Sequence, residues 1–311
     1  MAEKSGANSP VRKKDIKGNI ILTEYEVFPG IYLQQRQAQT RRLKVEPEES
    51  KSIFEISHCW DGRIELGHEQ DFYYLAPGDL SIVRRSWHSN IFYFPQGYYS
   101  GITVAIDLDK APENLSMLMG DIDIRPAEVI EKFCSDKDFF IARSNASIEH
   151  VFSELYSVPE NIKSGYYKVK VLELLLFLSE MNTSARQEKN QHFTRSQVLL
   201  AKGVCEYMTQ NMDKHITIEK LAELFHISGT QLKNTFKGVY GISIYSYIRS
   251  QKMQAAGRML RESDETVLEI AGKFGYENGS KFAKAFRAEM GMSPKVYRTA
   301  SEDKIKSVFL E

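Results

Sequence analysis

The sequence predicts an α+β chain, with an antiparallel β-barrel and helices in front and an all-α segment behind. Three observations predict it. Short apolar runs divided by Pro/Gly turns fill residues 20 to about 108. From about residue 126 the apolar period becomes that of a helix. Beyond residue 195 a helical pattern recurs at a spacing near 50 residues.

The strands come first. In Ile53-Phe54-Glu55-Ile56-Ser57-His58-Cys59-Trp60, alternation puts Phe54, Ile56, His58 and Trp60 on one face. Asp61-Gly62 is expected to turn the chain as a hairpin into Arg63-Ile64-Glu65-Leu66. Phe72-Tyr73-Tyr74-Leu75 runs into Ala76-Pro77-Gly78-Asp79, where Pro presets φ and Gly accepts a positive one. Leu80-Ser81-Ile82-Val83 follows, and Ile102, Val104, Ile106 and Leu108 again share a face. Many short strands with such turns predict a small antiparallel barrel or a double-sheet jelly roll.

The helices follow. Asn145 is placed to cap a helix that carries Val151, Phe152, Leu155 and Tyr156 and is stopped by Pro159. Residues 164–181 form a second, with Tyr167, Val171, Leu174, Leu175 and Leu178 along one stripe. That stripe packs on its own barrel or serves as a dimer seam. The polar stretch that follows reads as a linker, which gives residues 1–181, a linker at 182–194, and residues 195–311 as the second domain.

With 311 residues, 42% hydrophobic and 26% charged, the chain is long enough for two cores. The longest apolar run, residues 171–178, is far short of the roughly 18 residues of a membrane span. Residues 1–17 are polar and lack the apolar stretch of a secretion signal, so a cytoplasmic protein without a membrane partner is expected. Cys59, Cys134 and Cys205 lack disulfide or metal spacing and read as reduced thiols. The chain is neutral, but unevenly so: residues 1–194 carry 23 basic and 28 acidic side chains, and residues 195–311 carry 18 and 13. The positive C-terminal part suits a polyanion.

The repeat is the most specific signal. Leu221-Ala222-Glu223-Leu224-Phe225-His226-Ile227 recurs as Ile270-Ala271-Gly272-Lys273-Phe274-Gly275-Tyr276. Leu232, Phe236, Gly241 and Ser243 recur as Phe282, Phe286, Gly291 and Ser293. The offset is 49 residues before the turn and 50 after it. Each copy reads as helix, tight turn, helix, with a small Ala at the crossing and Gly275 or His226 at the turn. The free face of the second helix then shows Gly229, Thr230, Lys233, Asn234 and Lys237 in one copy. In the other it shows Asn278, Gly279, Ser280, Lys281, Lys284 and Arg287. An unbroken helix between the copies would hold both on one side of a duplex.

Further residues complete the pattern: Ile218-x2-Leu221-Ala222, Tyr247-Ile248-Arg249-x2-Lys252-Met253, and Gly291-x-Ser293-Pro294-x2-Tyr297-Arg298. Over residues 195–300, a third of the chain, this resembles the DNA-binding domain of the AraC/XylS family of bacterial transcription regulators. The resemblance implies that Thr230, Lys233 and Asn234 read bases from the first recognition helix. Gly279, Ser280, Lys281 and Lys284 take those places in the second, with Lys237 and Arg287 beside them. It implies double-stranded promoter DNA and RNA polymerase as partners, a homodimer, and an activator. His226 departs from the usual turn Gly, and Gly279 from a larger polar residue, so more direct base reading is expected of the first copy.

The front part resembles the cupin-like sensory domain of full-length members, which implies a small-molecule effector. Residues 57–63 with 75–80 are similar to regulators that sense iron–siderophore complexes. His58, Trp60, Tyr74 and Trp87 are the pocket candidates. His58, His68 and His88 lack a metal-binding spacing, and no nucleophile, phosphate-loop or paired-carboxylate motif is present. No metal, no cofactor and no catalytic residue is therefore expected. The alternatives are a ligand-independent DNA-binding protein and a cupin-type enzyme fused to a DNA-binding module.

Overall fold

The structure, a computed structural model, describes residues 12–15, 20–45, 52–68, 70–87, 91–115, 123–135, 138–182 and 192–300. The chain divides into two units, Met1–Thr194 and Arg195–Glu311.

The N-terminal unit has twelve strands among the described residues: β1 (Arg12–Asp15), β2 (Ile20–Phe28), β3 (Ile31–Ala38), β4 (Arg42–Lys44), β5 (Ile53–Gly62), β6 (Ile64–His68), β7 (Asp71–Leu75), β8 (Leu80–Arg84), β9 (Ile91–Tyr93), β10 (Tyr99–Asp107), β11 (Phe139–Ala142) and β12 (Phe193–Thr194). Their ladders, all antiparallel, make two sheets, ordered β1-β2-β3-β10-β5-β8-β11 and β12-β7-β6-β9-β4. The double sheet is thus the arrangement found. Cys59, Val83, Tyr99 and Ile141 of the larger sheet and Ile64, Leu66 and Leu75 of the smaller share one apolar cluster, so the sheets face each other. On its other face the larger sheet buries Phe54, Ile56, Ile102, Val104 and Ile106 against α1 (Pro126–Cys134), α2 (Ala146–Ser153) and α3 (Lys163–Glu180). Tyr167, Val171, Leu174, Leu175 and Leu178 all enter this core, so the α3 stripe packs on its own sheet. Asn145 caps α2, accepting from the amides of Ser147 and Ile148 at 3.0 and 3.3 Å.

Two sequence expectations change here. Asp61-Gly62 does not make a hairpin: both residues pair with β10, and β6 belongs to the other sheet. Gly62, at φ +80°, is a corner between layers, and a Cβ there would meet the Tyr98 carbonyl at 2.4 Å. The second face of β5 carries polar side chains and is nevertheless buried, at Glu55 and Ser57 as well as Cys59. Arg36 and Arg85 hold Glu55 at 2.7 and 2.8 Å, and the Ser57 and Thr103 hydroxyls share a bond of 2.9 Å. Residues 183–191 of the expected linker lie outside the described residues. Its end, Phe193–Thr194, is a strand paired with Phe72 and Asp71.

The C-terminal unit contains α4 (Arg195–Gln210), α5 (Ile218–Leu224), α6 (Gly229–Tyr240), α7 (Ile244–Glu262), α8 (Val267–Lys273), α9 (Gly279–Met290) and α10 (Pro294–Thr299). Phe236 stacks on Tyr240 and meets Tyr247 of α7 edge-on at 5.5 Å, which centres the first core. Met253, Ala256 and Leu260, further along α7, close the second core with Ile270, Phe282, Phe286 and Tyr297.

His58 supplies a pH test of the N-terminal unit. Its ring is fully buried, stacks on Phe152 at 4.4 Å, and bonds the Tyr156 hydroxyl through Nδ1 at 2.9 Å. Burial lowers its pKa to about 4, against the opposing pull of Glu149 and Asp79. The unfolded chain binds this proton first, so the stability is complete above about pH 6.5 and falls between there and pH 4. Urea unfolding across that window should show a loss of up to about 3 kcal/mol that His58→Gln removes. An identical pH dependence in the variant would contradict it.

Candidate nucleic-acid interface

The repeat is realised turn by turn. Ile227 N–H donates to the Ala222 carbonyl and Tyr276 N–H to the Ala271 carbonyl, both at 3.0 Å. His226 at φ +54° and Gly275 at φ +77° occupy the same left-handed position, and His226 is the one non-glycine with positive φ among the described residues. Such a conformation costs a residue with a Cβ about 1–2 kcal/mol, so the first turn carries strain that the second avoids. The side chains of Ser228 and Asn278 then cap α6 and α9. One residue lies between His226 and its cap and two lie between Gly275 and its own, so Glu277 is the inserted residue behind the change of offset. Gly241 and Gly291 end both helices in the left-handed conformation.

Leu232 and Phe236, like Phe282 and Phe286, are fully buried. The opposite faces are open: Thr230, Lys233, Asn234 and Lys237 are exposed on α6, and Ser280, Lys281, Lys284 and Arg287 on α9. Gly279 is half-buried at the start of α9, where a Cβ would lie 3.5 Å from Leu268 of α8. That is an ordinary contact distance, so the helix approach leaves room for a small side chain there, while a Cβ at Gly229 would lie 3.3 Å from Ile218.

Some cations of the unit are engaged within it. Lys273 pairs with Glu265 at 2.5 Å, Arg249 with Glu289 at 3.6 Å, and Lys252 donates to the Phe274 carbonyl at 2.9 Å. Among the described residues Lys233, Lys237, Lys281, Lys284 and Arg287 have no ion-pair partner. Five solvated cations on the open faces of two equivalent helices form an anion-binding surface, and phosphates are its natural counterpart.

Counting from the caps also shows what the sequence reading missed. Gln231 stands where Lys281 stands and is exposed, and Ala283 takes the place of Lys233. The offset of 50 beyond the turn was the signal for both.

The effector candidates do not converge. His58 and Trp60 share Tyr156, on which the Trp60 ring stacks at 4.3 Å. Tyr74 is engaged elsewhere, donating to Glu65 at 2.6 Å and touching Phe193 edge-on. Trp87 ends a short 3-10 turn (Arg85–Trp87), and its side chain, like all of His88, lies outside the described ones. A groove of about 600 Å³ lies instead between α2 and α3, lined by His150, Val151, Leu176 and Phe177 among others. No three His, Cys, Asp or Glu side chains among the described residues are grouped to hold a metal ion.

A helix-turn-helix domain model matches residues 221–300. The multiple antibiotic resistance protein MarA of Salmonella typhimurium is 30% identical over 96 residues, which are 31% of this chain and 76% of MarA. This chain belongs to the AraC/XylS family. The HTH-type transcriptional regulator YobQ of Bacillus subtilis is 34% identical over 92 residues, 30% of this chain and 38% of YobQ. Among solved structures, the C-terminal domain of AraT from Geobacillus stearothermophilus is 28% identical, with a TM-score of 0.32, covering 33% of this chain and 88% of that one. The chain spans about two fifths of the length of the curated regulators YobQ and YdiP.

The solvated cations make a measurable claim. Lys233→Ala and Lys284→Ala should each weaken binding to every duplex alike and lower the slope of log affinity against log salt by about one. Unchanged affinity in both variants at low salt would remove α6 and α9 from the interface.

Proposed function

We propose that this protein is a cytoplasmic transcription regulator that docks both helix-turn-helix units on promoter DNA under the control of a small effector. The observation that carries the reading is the exposed cationic face of each of the two equivalent helices, α6 and α9, with Lys237 and Arg287 at matching positions. Thr230, Lys233, Asn234 and Lys237 form the first contact surface, and Gly279, Ser280, Lys281, Lys284 and Arg287 the second. The second surface is poorer in base readers, since Gly279, Ser280 and Ala283 are short and its cations suit phosphates.

The resemblance of the front part to sensory domains supports an effector, and the groove of about 600 Å³ between α2 and α3 is a space the N-terminal unit offers it. A homodimer and RNA polymerase complete the reading as partners.

Gel-shift measurements on two fragments test it. Residues 190–311 should fold and retard duplex DNA, and residues 1–185 should not. Retardation by the front fragment alone would overturn the assignment. A thermal shift of the full chain by a candidate effector separates a sensor from a ligand-independent DNA-binding protein.

A further inference from the structure

The exposed face of α6 is chemically divided. At about 100° per residue, with Thr230 at 0°, Asn234 lies at about 40° and Gln231 at about 100°. Lys237 lies at about 340° and Lys233 at about 300°, so both lysines fall on the other flank. The buried residues Leu232, Thr235, Phe236 and Val239 centre on the opposite side, near 200°. One flank of the first recognition helix is therefore carboxamide and the other cationic. In α9 the equivalent positions hold Lys281, Lys284 and Arg287, so its cations spread over both flanks.

The two carboxamides are well placed to act together. Gln231 and Asn234 are three residues apart, which puts them side by side on the helix about 4.5 Å apart along its axis. That is near the roughly 3.4 Å spacing of stacked base pairs. Neither side chain has a hydrogen-bond partner among the described residues, and both are exposed. The Gln231 amide N–H is taken by the Ser228 hydroxyl at 3.1 Å, so only its side chain is free to reach outward. Gln231 also lies in the first turn of the helix, the part that approaches base edges in this motif. A carboxamide pairs bidentately with adenine N6 and N7, and a lysine takes guanine or phosphate.

We infer that Gln231 is a specificity-determining residue and that Gln231 and Asn234 together read two adjacent adenines under the first module. Lys233 and Lys237 hold the phosphates beside the other flank of α6. The inference rests on the reading of the chain as a DNA-binding regulator and names the chemistry of the site that it selects.

The test is selection of bound duplexes from a randomised pool by the full chain and by its Gln231→Ala, Asn234→Ala and Gln231→Lys variants. The wild type should enrich two neighbouring A·T pairs at one end of its site. Gln231→Ala should lose the preference at one of the two by roughly 5- to 150-fold while leaving the salt slope unchanged, because no charge is removed. Asn234→Ala should lose the other. Gln231→Lys should raise the salt slope by about one and abolish the adenine preference at its position. Circular dichroism melting that matches the wild type confirms the fold of each variant. Retention of both preferences in Gln231→Ala, or a wild-type site without neighbouring A·T pairs, would overturn the inference and leave the regulator reading standing. A wild-type chain that binds no duplex would overturn the regulator reading as well.

Discussion

Both helix-turn-helix cores close on one helix. The first turns of α7 supply Tyr247 to the aromatic cluster of Phe236 and Tyr240, and its later turns supply Met253, Ala256 and Leu260 to the cluster of Phe282 and Phe286. At 19 residues α7 is about 28 Å long, and its sequence has no proline to bend it. The distance between the recognition helices is therefore fixed by a rigid element instead of a loop. Ser243 caps the start of α7, accepting the Ser246 amide at 3.1 Å, and Gly241 at φ +79° ends α6 two residues earlier. That pair of terminal devices sets the angle at which α6 leaves the shared helix, and it recurs at Gly291 and Ser293.

Once each recognition helix has given one face to its core, its other face has only solvent and a ligand to meet. On that face this chain leaves Lys233, Lys237, Lys281, Lys284 and Arg287 without ion pairs, while Lys252 and Lys273 elsewhere in the unit bind within it. Surface ion pairs stabilise by at most about 1 kcal/mol, so leaving these five open costs the fold little. What the protein gains is a surface whose counterions can be released on binding a polyanion. The two faces differ in kind. One mixes carboxamides with cations, and the other is short near its start and cationic beyond.

The C-terminal unit was legible because each of its features is local. Turn positions at His226 and Gly275 and core pairs four residues apart show in the order of residues, and the second copy checks the first, whereas Asn278, expected on the exposed face, instead turns its side chain back to cap α9. The slip from 49 to 50 was visible too, but its cause, Glu277, required the cap of α9 to be located. The N-terminal unit was legible only as short strands and turns. Which strands pair depends on contacts distant in sequence, such as β10 between β3 and β5, and so Asp61-Gly62 read as a hairpin when it is a corner. The burial of Glu55 was hidden for the same reason, because Arg36 and Arg85 approach it from other strands and turns. His58 and Trp60 do share a neighbour, but Tyr156 comes from beyond α2, and nothing near them in sequence announces it.

The central claim is that α7 presents both recognition helices to one side of a duplex. Hydroxyl-radical footprinting of the full chain on a bound promoter fragment tests it most directly. The account predicts two protected segments about 10 base pairs apart on the same face, corresponding to successive major grooves. A single protected segment, or two on opposite faces, would contradict it.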